Sequence, residues 1–234
     1  MMNLLTCILA VMPVFADAQT RAPQAASAID EPGLHRFEED VAEASASIRD
    51  ELRRRRIRNM TRQVFQAARR QDAVSAQKAL DQLLKEVPSL KEKPGTWLAQ
   101  GEIHFRRGNF DGAFQEADRS IREMVLRCGG NSQVSDSPEK GFISDAYFNR
   151  GAALMHLGRL DEAIADMDAA YALLPRPHIQ LNKCRALIAR KKYEEAAKAY
   201  ELTAFLDAKT AECSDKKRIC AALSQNGQSA KACR

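Results

Sequence analysis

An all-α fold of stacked helix hairpins is predicted by three observations on this chain. Aromatic residues make up only 6% of 234 residues, and Gly and Pro number 11 and 8, while Ala, Arg, Leu, Glu and Gln recur throughout, a composition that favours helix over strand. Apolar residues recur at three- and four-residue spacing along most of the chain, the period of an amphipathic helix. The same short pattern then returns several times with a fixed internal order, which is the signature of a repeat architecture. With 45% hydrophobic residues the chain is too apolar to be disordered. A net charge of +5 falls short of what a dedicated nucleic-acid binder carries.

The first 18 residues address the protein rather than fold it. Leu4 to Phe15 is almost continuously apolar and leads to Ala16-Asp17-Ala18 ahead of Gln19, the small-x-small pattern of a secretory signal peptide. Cleavage after Ala16 is the alternative, because Val14-Phe15-Ala16 also suits the enzyme. The stretch is too short to span a bilayer, so the expected location is periplasmic or secreted. Cys7 leaves with the signal, and Cys128, Cys184, Cys213, Cys220 and Cys233 remain. In an oxidising compartment an even subset should pair. Cys128, Cys213, Cys220 and Cys233 are the candidates, with Cys184 set aside because it falls inside an apolar helix pattern. Residues 19–32 have no periodic apolar face and read as a flexible leader.

A helix over 33–60 follows, with Phe37, Val41, Ala44, Ile48 and Leu52 on one face. It carries Arg53, Arg54, Arg55, Arg56 and Arg58, which suggest contact with an anionic surface; four consecutive arginines, however, wrap right round a helix and make no single basic face. The repeats come next. Trp97 to Gly101 with Gly108 to Ala113, Tyr147 to Gly151 with Gly158 to Ala163, and Leu181 to Cys184 with Lys192 to Ala196 share one order. Each is a helix, a Gly or Lys turn, an aromatic or Leu, an acidic residue, an Ala and a second helix. A degenerate copy over 61–92 has Asp72 to Ala76 in its turn, Leu80, Leu83, Leu84 and Pro88 at matching offsets, and Val64 where a Gly would stand.

These segments resemble tetratricopeptide repeats, helix-turn-helix units of about 34 residues. The middle segment carries the fullest pattern: Tyr147, Gly151, Gly158, Ala163, Ala170 and Pro175. Ala163 and Ala196 lie 33 residues apart and Ala113 and Ala163 lie 50 apart, so about 16 residues are inserted relative to the family period. The resemblance implies a right-handed superhelical solenoid with repeats over 93–127, 138–175 and 176–207, an inserted loop over 128–137, and a capping helix with a Cys-rich tail over 208–234. Gly101, Gly151, Ala113, Ala163 and Ala196 would let paired helices approach closely.

Chemistry is not indicated. His35, His104, His156 and His178 belong to no metal or nucleophile motif, and Cys213, Cys220 and Cys233 are spaced too irregularly for zinc. His104 stands where the repeat has a buried Tyr, which suggests a hydrogen-bonded core residue. No cofactor, metal or nucleic acid is expected and the chain reads as a non-enzyme. The resemblance implies instead a concave groove, lined by first helices, that holds a segment of another protein. Its residues here would be Leu98, Glu102, Phe105, Arg106, Phe148, Asn149, Ala152, Met155, His156, Leu181, Asn182, Arg185 and Ile188. Asn149 and Arg185 match the clamp that some family members use on a terminal carboxylate, while Leu98, Glu102 and Leu181 depart from it. The function expected is that of an envelope adaptor or scaffold; the alternative is a peripheral factor that uses Arg53 to Arg58, with the repeats as a rigid body.

Overall fold

The computed structural model describes residues 31–46, 48, 51–70, 72–212 and 216–233. The expected signal peptide and most of the leader lie outside them, as does Cys213. Eleven α-helices and no strand occur among the described residues, in agreement with an all-α solenoid. They are α1 (Glu31–Ser45), α2 (Glu51–Arg69), α3 (Ala73–Glu86), α4 (Pro94–Arg106), α5 (Phe110–Arg127), α6 (Lys140–His156), α7 (Leu160–Leu173), α8 (Pro177–Ala189), α9 (Tyr193–Leu206), α10 (Ala208–Ala211) and α11 (Lys216–Gln225). The hairpins are α2–α3, α4–α5, α6–α7 and α8–α9, and each second helix packs on the first helix of the next hairpin.

Where apolar spacing predicts one helix over 33–60, the structure has two. The reason lies in the phase of the apolar residues. Phe37 and Val41 are buried, and so are Ile57, Met60, Val64 and Ala67, but Leu52 falls between the two sets and is 74% exposed. Continued from Leu52, the first stripe would reach Arg55 and Asn59. A straight helix cannot bury both stripes on one face, and the chain breaks between them. The degenerate hairpin therefore starts at Glu51 rather than near residue 61.

Backbone proximity sets the geometry of each hairpin. A Cβ placed on Gly151 would lie 3.1 Å from Asp166 Cβ and Met167 Cε and 3.2 Å from the carbonyl oxygen of Ala163. At Gly101 the corresponding neighbours are the Ala113 oxygen and Glu116 Cβ, both 3.4 Å away. The turns are alike in all three repeats. Asn109 N–H donates to His104 O at 2.9 Å, Arg159 N–H to Leu154 O at 2.9 Å and Lys192 N–H to Leu187 O at 2.8 Å, each closing a helix end with a left-handed residue. That residue is Gly108 or Gly158 at φ 75°, but Lys191 at φ 63° in the last repeat.

Polar side chains tie one hairpin to the next at a single register position. Arg150 donates to both oxygens of Asp166 in its own hairpin, at 2.8 and 2.7 Å, and to Asp118 of the preceding one at 2.6 Å. Those hydrogen bonds, Asp166 first, hold the guanidinium firmly charged. Fifty residues earlier Gln100 Nε2 donates to Gln77 Oε1 at 2.9 Å, and in the last repeat Lys183 pairs with Asp168. Such a fork is demanding in geometry and fixes the rotation between hairpins.

The two ends differ. At the C-terminus α11 packs on α8 and α9, with Ile219 and Leu223 buried beside Tyr200 and Leu187, and a Cys220–Cys233 disulfide closes the tail. Cys128, a disulfide candidate by sequence, is not bonded to another cysteine; its thiol donates to Ser137 Oγ at 3.2 Å, in the loop ahead of α6. Cys184 is fully buried between Leu181 and Leu187.

The Lys191 turn gives a direct test. A non-glycine residue in the left-handed region costs about 1–2 kcal/mol, and glycine returns about 0.5–1 kcal/mol of that through a freer unfolded chain. Lys191→Gly should therefore raise stability by up to about 1 kcal/mol, read as a higher urea midpoint, whereas Gly158→Ala should lower it.

Candidate functional site: the face of the first helices

The first helices α4, α6 and α8 touch one another side by side, while α5, α7 and α9 make few contacts among themselves within the described residues. The first-helix layer is the tighter of the two.

Helical register sorts the expected groove residues into two classes. Leu98, Phe148 and Leu181 occupy equivalent positions and are 6%, 4% and 5% exposed. Each sits in a core cluster, Leu98 with Phe142, Ile143 and Ala146 of the next first helix and Phe148 with Met167, Ala170 and Ile179. Glu102 is buried as well. These four pack within and between hairpins and do not line an open groove, because side-by-side contact of first helices consumes the position between them. Phe105, Arg106, Asn149, Ala152, Met155, His156, Asn182, Arg185 and Ile188 stay partly exposed.

That open half has a defined chemistry. Phe105, Met155 and Ile188 share one register position and are half-buried, Met155 packed against the Phe148 cluster and Ile188 against the Leu181 cluster. Arg106 pairs with Glu102 at 2.6 Å, and Arg185 Nη1 donates to Asn182 Oδ1 at 3.1 Å, so a cation stands near each end. His156 lies flat on Phe110, with ring centroids 4.2 Å apart and planes at 9°, and meets Phe105 edge-on at 5.2 Å. Burial in this aromatic contact pushes the imidazole below its ordinary value. His178 meets Phe148 edge-on at 4.9 Å. His104 bonds Asn109 Nδ2 at 3.1 Å, the hydrogen-bonded structural role that its place in the repeat suggests.

Four of the five arginines are engaged in their own hairpin, and Arg55 is exposed. Arg53 donates to the Glu86 carbonyl at 2.8 Å and Arg56 pairs with Glu86 at 3.3 Å. Arg54 and Arg58 pair with Glu51 at 2.7 and 2.8 Å. No group of three or more His, Cys, Asp or Glu arranged to hold a metal occurs among the described residues.

Sequence reasoning placed a helix at Phe37 and Val41 but missed that it lies across this face. α1 packs against α2, α4 and α6, all of them first helices. Its buried Asp40 accepts the Gly95 N–H at 2.9 Å at the start of α4. Arg36 pairs with Asp40 at 3.1 Å and with Glu139, just before α6, at 2.8 Å; Lys93 pairs with Glu43 at 3.0 Å. Burial raises the Asp40 carboxyl above its ordinary value against the pull of Arg36, the Gly95 N–H and Lys93. Phe37 and Val41 enter the cluster of the first hairpin with Ile57, Leu80 and Ile103. The available signal was the Pro94-Gly95 pair at the head of a helix, which the repeat pattern does not require.

Residues 144–177 match the family model described as Tetratricopeptide repeat, so the chain carries such a repeat, in the α6–α7 hairpin extended to the start of α8. No curated protein matches the chain at a significant level. The family is one of protein-interaction modules.

The His156 contact makes a pH prediction whose sign is fixed. A histidine with a lowered folded-state pKa is protonated more readily in the unfolded chain, so its contribution to stability is intact above about 6.5 and declines as pH falls below that value. The loss in melting temperature between pH 7.5 and 5.5 should be smaller in His156→Phe than in the wild-type chain. Comparing the two cancels the carboxylates Asp40 and Glu116, whose raised values act in the opposite direction.

Proposed function

We propose that this tetratricopeptide-repeat chain is a non-catalytic adaptor that holds a segment of another protein on the open face of its first helices. One observation carries the reading: Phe105, Met155 and Ile188 repeat at the same helical position in three successive hairpins and stay partly accessible, flanked by Arg106 and Arg185. Apolar side chains supply affinity by burial, at about 25 cal/mol per Å². Asn149 offers an amide to the backbone of a bound segment, and Arg106, Asn182 and Arg185, already bonded to Glu102, His178 O and Asn182 Oδ1, would share their donors with it. Catalysis would need an acid, base or nucleophile set beside the face, and the groups there pair with one another.

The apolar stretch Leu4 to Phe15 and the Cys220–Cys233 pair support export to an oxidising compartment, which would make the chain an envelope or secreted component. The alternative role for Arg53 to Arg58 draws less support. Their partners Glu51 and Glu86 compete with any anionic surface, and exposed pairs of this kind are worth about 0–1 kcal/mol each, so the arginines could be released but form no prepared site.

A photoreactive residue at Met155, introduced into the exported chain in its native cells, tests the reading. A discrete protein adduct that disappears with Arg185→Glu is expected. An adduct unaffected by that change, or one obtained only from Arg56, would move the function to the outer surface.

A further inference from the structure

Gly95 is a glycine that its own helix does not need. It lies in the first turn of α4, outside the left-handed region, where α6 has Asp145 and α8 has His178. A Cβ there would fall 2.7 Å from Asp40 Oδ2 and 2.9 Å from both N and Cα of Phe37. The last two are backbone atoms, which cannot yield unless the helix that carries them moves away. The absence of a side chain at residue 95 is thus a requirement of α1.

The start of α4 is fitted to α1 in a second way. α4, like α6, α7, α8 and α9, begins without a side-chain cap of its own; what sets it apart is that another helix supplies the acceptor. The Gly95 N–H is satisfied by Asp40 from another helix. A carboxylate at a helix start completes an unpaired donor and meets the positive end of the helix dipole. Phe37 and Val41, three residues before and one after Asp40, supply burial on the same face. An apolar residue, an acid three positions on and an apolar residue after it, read from one helix by a neighbouring layer, is the way a separate helix is recognised in a groove.

We propose that the seat formed by the starts of α4 and α6 is a binding site for an acidic amphipathic helix with the spacing of Phe37, Asp40 and Val41, that α1 is its intramolecular occupant, and that a partner helix of the same chemistry enters by exchanging with α1. This rests on the reading of the first-helix layer as a docking face and assigns one edge of it a ligand. A tethered helix competes at an effective concentration in the millimolar range, so a free helix binds the intact chain weakly. Loosening α1 should expose the seat.

The test uses the full chain and a fluorescein-labelled peptide of residues 31–48, followed by anisotropy. The chain carrying Phe37→Ser should bind the peptide at least tenfold more tightly than the wild-type chain does. Adding Gly95→Ala should abolish that binding while hydrogen-exchange protection of α6, α7 and α8 is retained, and a peptide carrying Asp40→Asn should bind at least tenfold more weakly. Failure of the Phe37→Ser chain to take up peptide, with α6 to α8 still protected, would make α1 a permanent part of the fold and overturn the proposal. Dimerisation of that chain without peptide uptake would name a second copy as the occupant and overturn it equally. Should Phe37→Ser not fold, hydrogen exchange of the wild-type chain decides: α1 amides exchanging at least a hundredfold faster than those of α6 support exchange at the seat, and equal rates overturn it. Loss of the Met155 adduct would sink the docking face independently of these results.

Discussion

The hairpin that carries the fullest repeat pattern depends on how closely two backbones approach at Gly151. With Ala163 O, Asp166 Cβ and Met167 Cε all within 3.2 Å of where a Cβ would be, α6 and α7 cross so closely that any side chain there would push its neighbours back by a few tenths of an ångström. That separation sets which residues of α6 face the next first helix and which stay open. Phe148 is buried and Met155 is not because the hairpin closes at this distance. The share of the docking face that α6 contributes follows from it.

Close crossing leaves the rotation between hairpins undetermined, and polar pairs supply it. Arg150 stands half-buried between two hairpins, and its bidentate hold on Asp166 with a third bond to Asp118 is demanding in geometry. Burying a charge is costly unless it is paired and hydrogen-bonded throughout, so an arginine at this place acts as a register pin. Gln100 with Gln77 and Lys183 with Asp168 repeat the device with weaker chemistry at the two neighbouring junctions.

What was legible in the sequence was local. Small residues at Gly101, Gly151, Ala113, Ala163 and Ala196 report a constraint contained within one hairpin, and a periodic pattern displays it plainly. The break near residues 46–50 was also written there, in the slip of apolar phase between Leu52 and Ile57, but the stripe from Phe37 to Leu52 looked continuous on its own. The division of first-helix residues into core and open face was hidden, since Leu98 and Phe105 are equally apolar and differ only in whether the next hairpin covers them. The docking of α1 depends on contacts between residues as far apart as Arg36 and Glu139, and no periodicity records such a pair. Cys128 illustrates the same limit: an oxidising compartment predicts pairing, while in the structure its thiol is unpaired and donates to Ser137.

The two ends of the solenoid solve the problem of exposed terminal surface with different permanence. At the C-terminus α11 and the tail are stapled by Cys220–Cys233, Lys231 N–H donates to Glu201 at 3.0 Å and Tyr200 OH donates to Ala211 O at 2.7 Å. A crosslink restricts the unfolded tail and so favours its docked state. Near the N-terminus α1 depends on Phe37, Val41 and a few ionic and hydrogen-bonded contacts around Asp40, with no covalent tie between α1 and the layer it covers. Terminal segments that no crosslink ties down open at lower free energy than the body they lie on. An interaction face needs one edge that can change occupant, and the fold locates that edge where it withholds the staple.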